Sequence, residues 1–175
     1  MSEIISLIFE LIIFVSILWM LVFLSVFLHE AGHALGYRIV TEDRDWHIRV
    51  GSGKKLLNTR KLTVKLLPFD GCFMPSEKNM TDTAAKRIAM LSGGPAVSLI
   101  LTAALLAVRL GGMSLHSEII TADAIEFFIR AALFINLFIL IQSLIPAHYF
   151  YGELKGMETD GLQIIKIIRS YTSKS

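Results

Sequence analysis

Cysteine is almost missing from this 175-residue chain, where Cys72 stands alone. A single thiol excludes an intrachain disulfide framework, and it equally excludes a zinc site built on cysteines. Charge excess is lacking as well, since the formal net charge is only +2. There is no internal repeat and no low-complexity tract. The N-terminus lacks the basic patch of a secretory leader: Glu3 stands where it would lie, and no Ala-x-Ala pattern follows the first apolar run. That run is therefore expected to be a retained helix and not a cleaved signal peptide.

Apolar residues are what the chain has in abundance. They make up 54% of it, and the mean hydropathy of +0.61 lies far above soluble averages. Residues 4–28 are broken only by Ser6, Glu10, Ser16 and Ser25. As a helix they would extend roughly 37 Å, enough to cross a bilayer with some tilt. Two further apolar runs, 88–108 and 124–145, bring the expected crossings to three. Eleven of the seventeen Lys and Arg fall between Arg38 and Arg87, whereas residues 111–123 contain none. By the positive-inside tendency the basic segment is expected on the cytoplasmic side, which places the N-terminus outside. Its position between two spans favours this topological reading over a nucleic-acid patch, and no nucleic-acid partner is expected.

The fold class follows: a mainly α, polytopic membrane protein, organised as one domain over residues 1–175. The first span covers 1–38, a surface β-hairpin and loop 39–80, the second span 81–110, the third 124–146, and a loop with a short C-terminal helix 147–175. In the hairpin, Trp46-His47-Ile48-Arg49-Val50 and Lys61-Leu62-Thr63-Val64-Lys65-Leu66 alternate as strands do, with a turn expected around residues 51–58. Asp82 or Thr83 would cap the second span. Ser92-Gly93-Gly94-Pro95 within it should distort that helix or admit another backbone. Glu126 and Arg130 form an i,i+4 pair. Asn136 and Gln142 are expected to make interhelical hydrogen bonds, His47 and His116 to be solvated, and Cys72 to be a small packing residue.

The densest chemistry is His29-Glu30-Ala31-Gly32-His33, at the inner end of the first span. Histidines four apart share one helical face, which suits a zinc ion and leaves Glu30 beside it as a base. The blander alternative, two imidazoles idling at a helix end, conflicts with the cost of unpaired polar groups near a membrane core. A hydrolytic zinc takes a third protein ligand. Asp160 is the first candidate, because it falls at the right depth and Gly161 gives backbone freedom beside it. His148 is the second, and Asp70, Glu153 and Glu158 follow.

These elements occur in an order that resembles the site-2 protease family of intramembrane zinc metalloproteases, across most of the chain. HEAGH resembles the family's HExxH. Gly51-Ser52-Gly53 with Leu67-Pro68-Phe69-Asp70-Gly71-Cys72-Phe73 resembles its membrane-associated β-hairpin. Ser92-Gly93-Gly94-Pro95-Ala96-Val97-Ser98 resembles its Gly-Pro-x-x-Asn element, and Leu144-Ile145-Pro146 with Asp160-Gly161 resembles its Asn-x-x-Pro and Asp-Gly elements. The resemblance implies one zinc ion held by His29, His33 and Asp160, with Glu30 as general base. It also implies a membrane-protein substrate cleaved in or beside its transmembrane segment, and a minimal bacterial-type core without a PDZ domain, set in the inner or plasma membrane. An edge of the 46–66 hairpin could hold the substrate as an added strand, and the polar loop 147–159 would admit water. Ser98 and Ser143 depart from the family's asparagines, which leaves the oxyanion and substrate-holding groups open. A zinc-binding regulator or chaperone without turnover is the alternative; a proton-coupled transporter fits less well, because the acidic residues sit mostly at interfaces.

Overall fold

A computed structural model describes residues 2–76, 83–111 and 122–173. Helix α1 spans Ser2–Thr41, strand β1 Trp46–Asn58, strand β2 Leu62–Pro75, helix α2 Ala84–Leu110, helix α3 Ala122–Leu144 and helix α4 Asp160–Thr172. The first three helices are each long and apolar enough to cross a membrane. This matches the mainly helical fold class read from the sequence. Thr83 caps α2 by accepting from the Lys86 N–H; Asp82, the other expected cap, lies outside the described residues, as do His116 and most of the segment 111–123. The Glu126–Arg130 pair forms on α3.

Close approach of α1 and α2 depends on glycine. A Cβ on Gly32 would strike the Gly93 carbonyl, and one on Gly93 would strike that of Gly32. Gly36 lies equally tight, with Ala89 O 2.7 Å from where its Cβ would be. Small residues at such crossings let backbones touch, the usual basis of helix association in lipid. Pro95 is contained within α2 without ending it, so the Gly-Gly-Pro stretch acts here by admitting α1. Helix α3 joins α1 through Asn136, which donates to Ser25 Oγ at 3.0 Å. Gln142 was expected to do likewise, but among the described residues it bonds the Tyr151 hydroxyl instead, because the chain after Pro146 folds back along that face.

The hairpin departs from the expected pair of short strands. Both strands run longer, and the chain reverses at residues 59–61 rather than through 51–58. Gly51 and Gly53 have φ of +88° and +82°, a left-handed conformation open to glycine at little cost. They break the register and let the ribbon curl back on itself. Ile48, Arg49 and Val50 therefore pair with Phe73, Cys72 and Gly71 in one register and with Leu62, Thr63 and Val64 in another. The curled sheet lies along the flank of α1. Trp19 Nε1 donates to Leu66 O at 2.7 Å, ten residues and about 15 Å of helix before His29. Val26 and Ala34 of α1 meet Ile48 and Val50 in a small core, with Trp46 and Phe73 packed against it. Full burial of Ile48 and Val50 is worth about 1.5–3 kcal/mol each. His47, expected to be solvated, instead bonds Arg60 O and Thr63 Oγ1 within the curl.

An ionic clasp fastens this sheet to the connection between α3 and α4. Arg49 Nη1 donates to Asp70 Oδ1 at 3.0 Å and to Gly51 O at 2.6 Å. Asp70 Oδ2 accepts from the Glu153 N–H at 3.1 Å, and Lys65 Nζ bridges both Glu153 oxygens at 2.5 and 2.6 Å. The connection itself is stitched by paired backbone bonds, Tyr149 N to Met157 O and Gly156 N to Tyr149 O. It ends at Thr159, whose hydroxyl caps α4 and bonds back to Ile145 O.

Candidate metal centre

Two turns of α1 and the first turn of α4 meet at a cluster of three donor atoms. His29 Nε2 and His33 Nε2 lie 3.3 Å apart. Asp160 Oδ2 is 3.5 Å from the first and 3.4 Å from the second. The i,i+4 spacing stacks the imidazoles on one face of α1, and the Thr159 cap starts α4 so that Asp160 faces them. Gly161 contributes by size rather than by the backbone freedom expected of it: a Cβ there would strike Leu144 O, so a larger residue would push α4 off the end of α3. All four central residues are buried, with His29, Glu30, His33 and Asp160 between 5% and 9% exposed.

The imidazoles are oriented from behind. His33 Nδ1 lies 3.0 Å from the Met90 carbonyl. A carbonyl only accepts, so Nδ1 carries the proton and, in the neutral ring, Nε2 presents its lone pair to the cluster. His29 Nδ1 is 2.9 Å from Ser98 Oγ, which can accept in the same way. Ser98 is fully buried and is thus the partner of a candidate ligand, not a group open to substrate. Its position was legible: Leu91, Gly94, Pro95 and Ser98 form the buried face of α2, at helical spacing. Ser143 is equally enclosed and donates to Leu140 O.

The donor set fits zinc. A tetrahedral zinc about 2.0–2.1 Å from each ligand spaces its ligands about 3.3–3.4 Å apart, close to all three observed separations. Gly94 supplies the room: a Cβ there would lie 2.8 Å from His29 Nε2 and closer still to His33 Nε2. Two neutral imidazoles and one carboxylate also form a mixed nitrogen and oxygen set suited to zinc. Burial works to raise the Asp160 carboxyl, but in the metal-free site His29 and His33, with Nε2 protons turned to it, outweigh burial and hold the group at about 2, so it is ionised; a metal would take the place of those protons.

The remaining candidates lie elsewhere. His148 faces outward and pairs only loosely with Glu158, at 4.0 Å. Glu158 is held by Lys166, while Asp70 and Glu153 belong to the clasp. Glu30 borders the cluster, with Gly71 of β2 so close that a Cβ there would fall 2.5 Å from its Oε1. The Phe73 backbone N–H also faces its carboxylate. A cavity of about 260 Å³ opens onto these groups, bounded by Gly71, Cys72 and Phe73 on the sheet and by Tyr149 and Met157 on the connection. Cys72 thus lines the cavity and does not merely fill space. Burial raises its thiol above the ordinary range, with the Glu30 carboxylate adding to the effect. Tyr149, which sequence reasoning passed over, is raised first by burial and then by the Asp160 and Glu30 carboxylates; it stays a protonated phenol.

A profile of Peptidase family M50 matches residues 17–139. No curated protein matches the chain. The family match takes in α1 from its middle, the curled sheet, α2 and most of α3, and it stops before Asp160, whose meeting with His29 and His33 is a separate observation of geometry. With about seven-tenths of its length matched and three apolar helices of spanning length, the chain is a multi-pass membrane protein and belongs to peptidase family M50, the site-2 protease family of zinc metalloproteases.

Proposed function

We propose that this protein is a zinc-dependent intramembrane endopeptidase that hydrolyses a peptide bond in or beside a transmembrane segment of a membrane-protein substrate. His29, His33 and Asp160 hold the metal, and Glu30 is the general base. The observation that carries this reading is the triangle of donor atoms, spaced as zinc ligands are, with a buried carboxylate beside it. When bound, zinc supplies Lewis acidity that activates water near neutral pH and polarises the scissile carbonyl. Glu30 accepts the proton of the attacking water and delivers it to the departing amine as the C–N bond breaks. The Met90 carbonyl and Ser98 hold the imidazole tautomers. The site faces the cytoplasmic side, since the Lys- and Arg-rich segment 38–87 follows the inner end of α1. Water enters past the 147–159 connection, whose Leu154, Met157 and Glu158 border the cavity.

The substrate must be extended to expose its scissile bond, and the sheet offers one suitable edge. Residues 48–50 have partners in both registers, so they are closed to an added strand. Among the described residues, nothing pairs with the outer edge of residues 71–75, which borders Glu30. We place the substrate strand there, alongside Glu30.

The test is co-expression with single-span membrane proteins, comparing the parent with Glu30→Gln. The parent should cleave, and Glu30→Gln should bind zinc equally while cleavage falls by about 10²–10⁴-fold. Zinc binding without any Glu30-dependent cleavage would point instead to a metal-binding membrane protein without turnover. Absence of zinc binding would remove the reading altogether.

A further inference from the structure

The reaction needs a donor for the negative charge that develops on the scissile carbonyl oxygen, and the two positions at which the family resemblance suggested polar help are spent. Ser98 is fully buried against His29, and Ser143 donates to Leu140 O. Of the other donors around the cavity, Gln163 gives its amide to Glu158 O. Arg87 also borders the cavity, but its side chain is exposed to solvent at the start of α2. Tyr149 is different. Its main chain is pinned at both N–H and C=O, by Met157 O at 2.9 Å and Gly156 N at 2.8 Å. It lines the cavity together with His29, Glu30, His33 and Asp160, and the Asp160 and Glu30 carboxylates act on its phenol. Among the described residues its hydroxyl makes no hydrogen bond, whereas the neighbouring Tyr151 exchanges two with Gln142.

Resting on the proposed peptidase reading, we infer that Tyr149 is a catalytic hydrogen-bond donor, its phenolic O–H stabilising the scissile carbonyl oxygen as water adds to the carbon. The proton stays on the phenol throughout. Water contributes its oxygen to the carbonyl carbon and its proton to Glu30, the C–N bond breaks, and Glu30 returns that proton to the amine, so Tyr149 only binds charge. A rigid connection suits the task, because a donor fixed beforehand needs no reorganisation at the moment of reaction. The clasp of Arg49, Asp70, Glu153 and Lys65 then has a purpose beyond stability, since it holds the sheet edge and the tyrosine on facing sides of one cavity.

The experiment uses full-length protein with three variants: Tyr149→Phe, Tyr151→Phe and Glu30→Gln. Three quantities are read: zinc affinity, binding of a peptide phosphonate whose tetrahedral anion imitates the charged oxygen, and cleavage of a single-span reporter that the parent cuts and Glu30→Gln does not. For Tyr149→Phe, zinc affinity and KM should stay within about twofold of the parent. Its kcat should fall by about 10²–10³-fold, the range for loss of one such donor, with phosphonate binding weakened in parallel. Tyr151→Phe, which removes a hydroxyl from the same connection, should leave phosphonate binding unchanged. Unchanged kcat and phosphonate binding in Tyr149→Phe would overturn the assignment, and so would equal losses in Tyr151→Phe, which would mean a loosened connection. If the parent itself shows no Glu30-dependent cleavage, the peptidase reading fails and this assignment with it; if the parent cleaves and Tyr149→Phe matches it, only the tyrosine is wrong.

Discussion

Replacing Gly94 by alanine should separate folding from metal binding. The added Cβ would sit 2.8 Å from His29 Nε2 and nearer to His33 Nε2, well inside van der Waals contact with both metal-facing atoms. Those atoms are the far ends of side chains, so the clash can be relieved by rotating imidazoles while α2 stays in place. The helix itself prefers alanine to glycine by about 0.8–1.0 kcal/mol, so thermal unfolding of the metal-free protein should change little. The cost falls on the site. Rotating either ring breaks the 3.0 Å bond from His33 to Met90 O or the 2.9 Å contact of His29 with Ser98, and it spoils the triangle. Loss of such orienting bonds alone costs about 10–100-fold in metal affinity, and displacement of the ligand atoms adds to that. Competition of purified protein against a calibrated chelator, with circular dichroism to check the fold, measures both quantities. A Gly94→Ala protein that binds zinc within threefold of the parent would refute the reasoning, because the cavity beside Gly94 would then not be where the metal sits.

Other perturbations follow from the same contacts. Ser98→Ala deprives His29 of its partner and should weaken zinc binding by about 10–100-fold, read by the same competition; an unchanged affinity would deny Ser98 that role. Arg49→Ala leaves Asp70, only 5% exposed, without its guanidinium, and should cost about 3 kcal/mol in denaturant unfolding; a loss under about 1 kcal/mol would show that the Glu153 N–H suffices. Phe73→Pro distorts the 71–75 edge and should impair reporter cleavage far more than Phe73→Leu, with zinc binding equal in both; equal cleavage would reject strand addition at that edge. Glu153, bonded by Lys65, has its carboxyl held below its ordinary 4.5. A depressed folded value means that its stabilising effect is full above about pH 4.5 and fades as pH falls through the folded value. Hydrogen-exchange protection of residues 152–156, taken relative to the intrinsic rate at each pH, should therefore fall on acidification below about pH 4.5, and Glu153→Gln should flatten that dependence.

Much of the fold was legible because lipid leaves few options. Long apolar runs must be helices whose backbone bonds close within the segment, so α1, α2 and α3 came from composition and length. HExxH was legible because helical periodicity alone puts His29 and His33 together. The curl of the sheet was hidden, since alternation reports which residues pair but not which second partner a strand acquires once Gly51 and Gly53 turn it. Gly161 was misread for a related reason: glycine in a sequence signals freedom or smallness without saying which, and here the Leu144 carbonyl decides for smallness. Ser98 was readable as buried from its spacing with Leu91, Gly94 and Pro95, yet its partner lies 69 residues away in sequence.

The clasp gives the weaker carboxylate candidates a part of their own. Asp70 and Glu153 ranked behind Asp160 and His148 as possible third ligands, and each meets a cation. The cations are side chains, Arg49 and Lys65, and the carboxylates join three pieces of chain. Asp70 closes the curled sheet on itself through Arg49, and it reaches the connection through the Glu153 N–H; Lys65 ties Glu153 back to the same sheet. Glycine is again required where the pieces meet, because Gly152 has φ of +66° and a Cβ there would fall 2.5 Å from Asp70 Oδ2. A side chain at 152 would pay both the left-handed backbone cost and this clash. Gly152→Ala should therefore loosen the connection without touching the donor triangle, leaving zinc affinity near that of the parent. If the connection positions Tyr149, phosphonate binding and kcat in Gly152→Ala should fall while KM for the reporter holds. A Gly152→Ala protein with parental kcat would mean that the clasp stabilises the fold alone and that the cavity wall needs no such fastening.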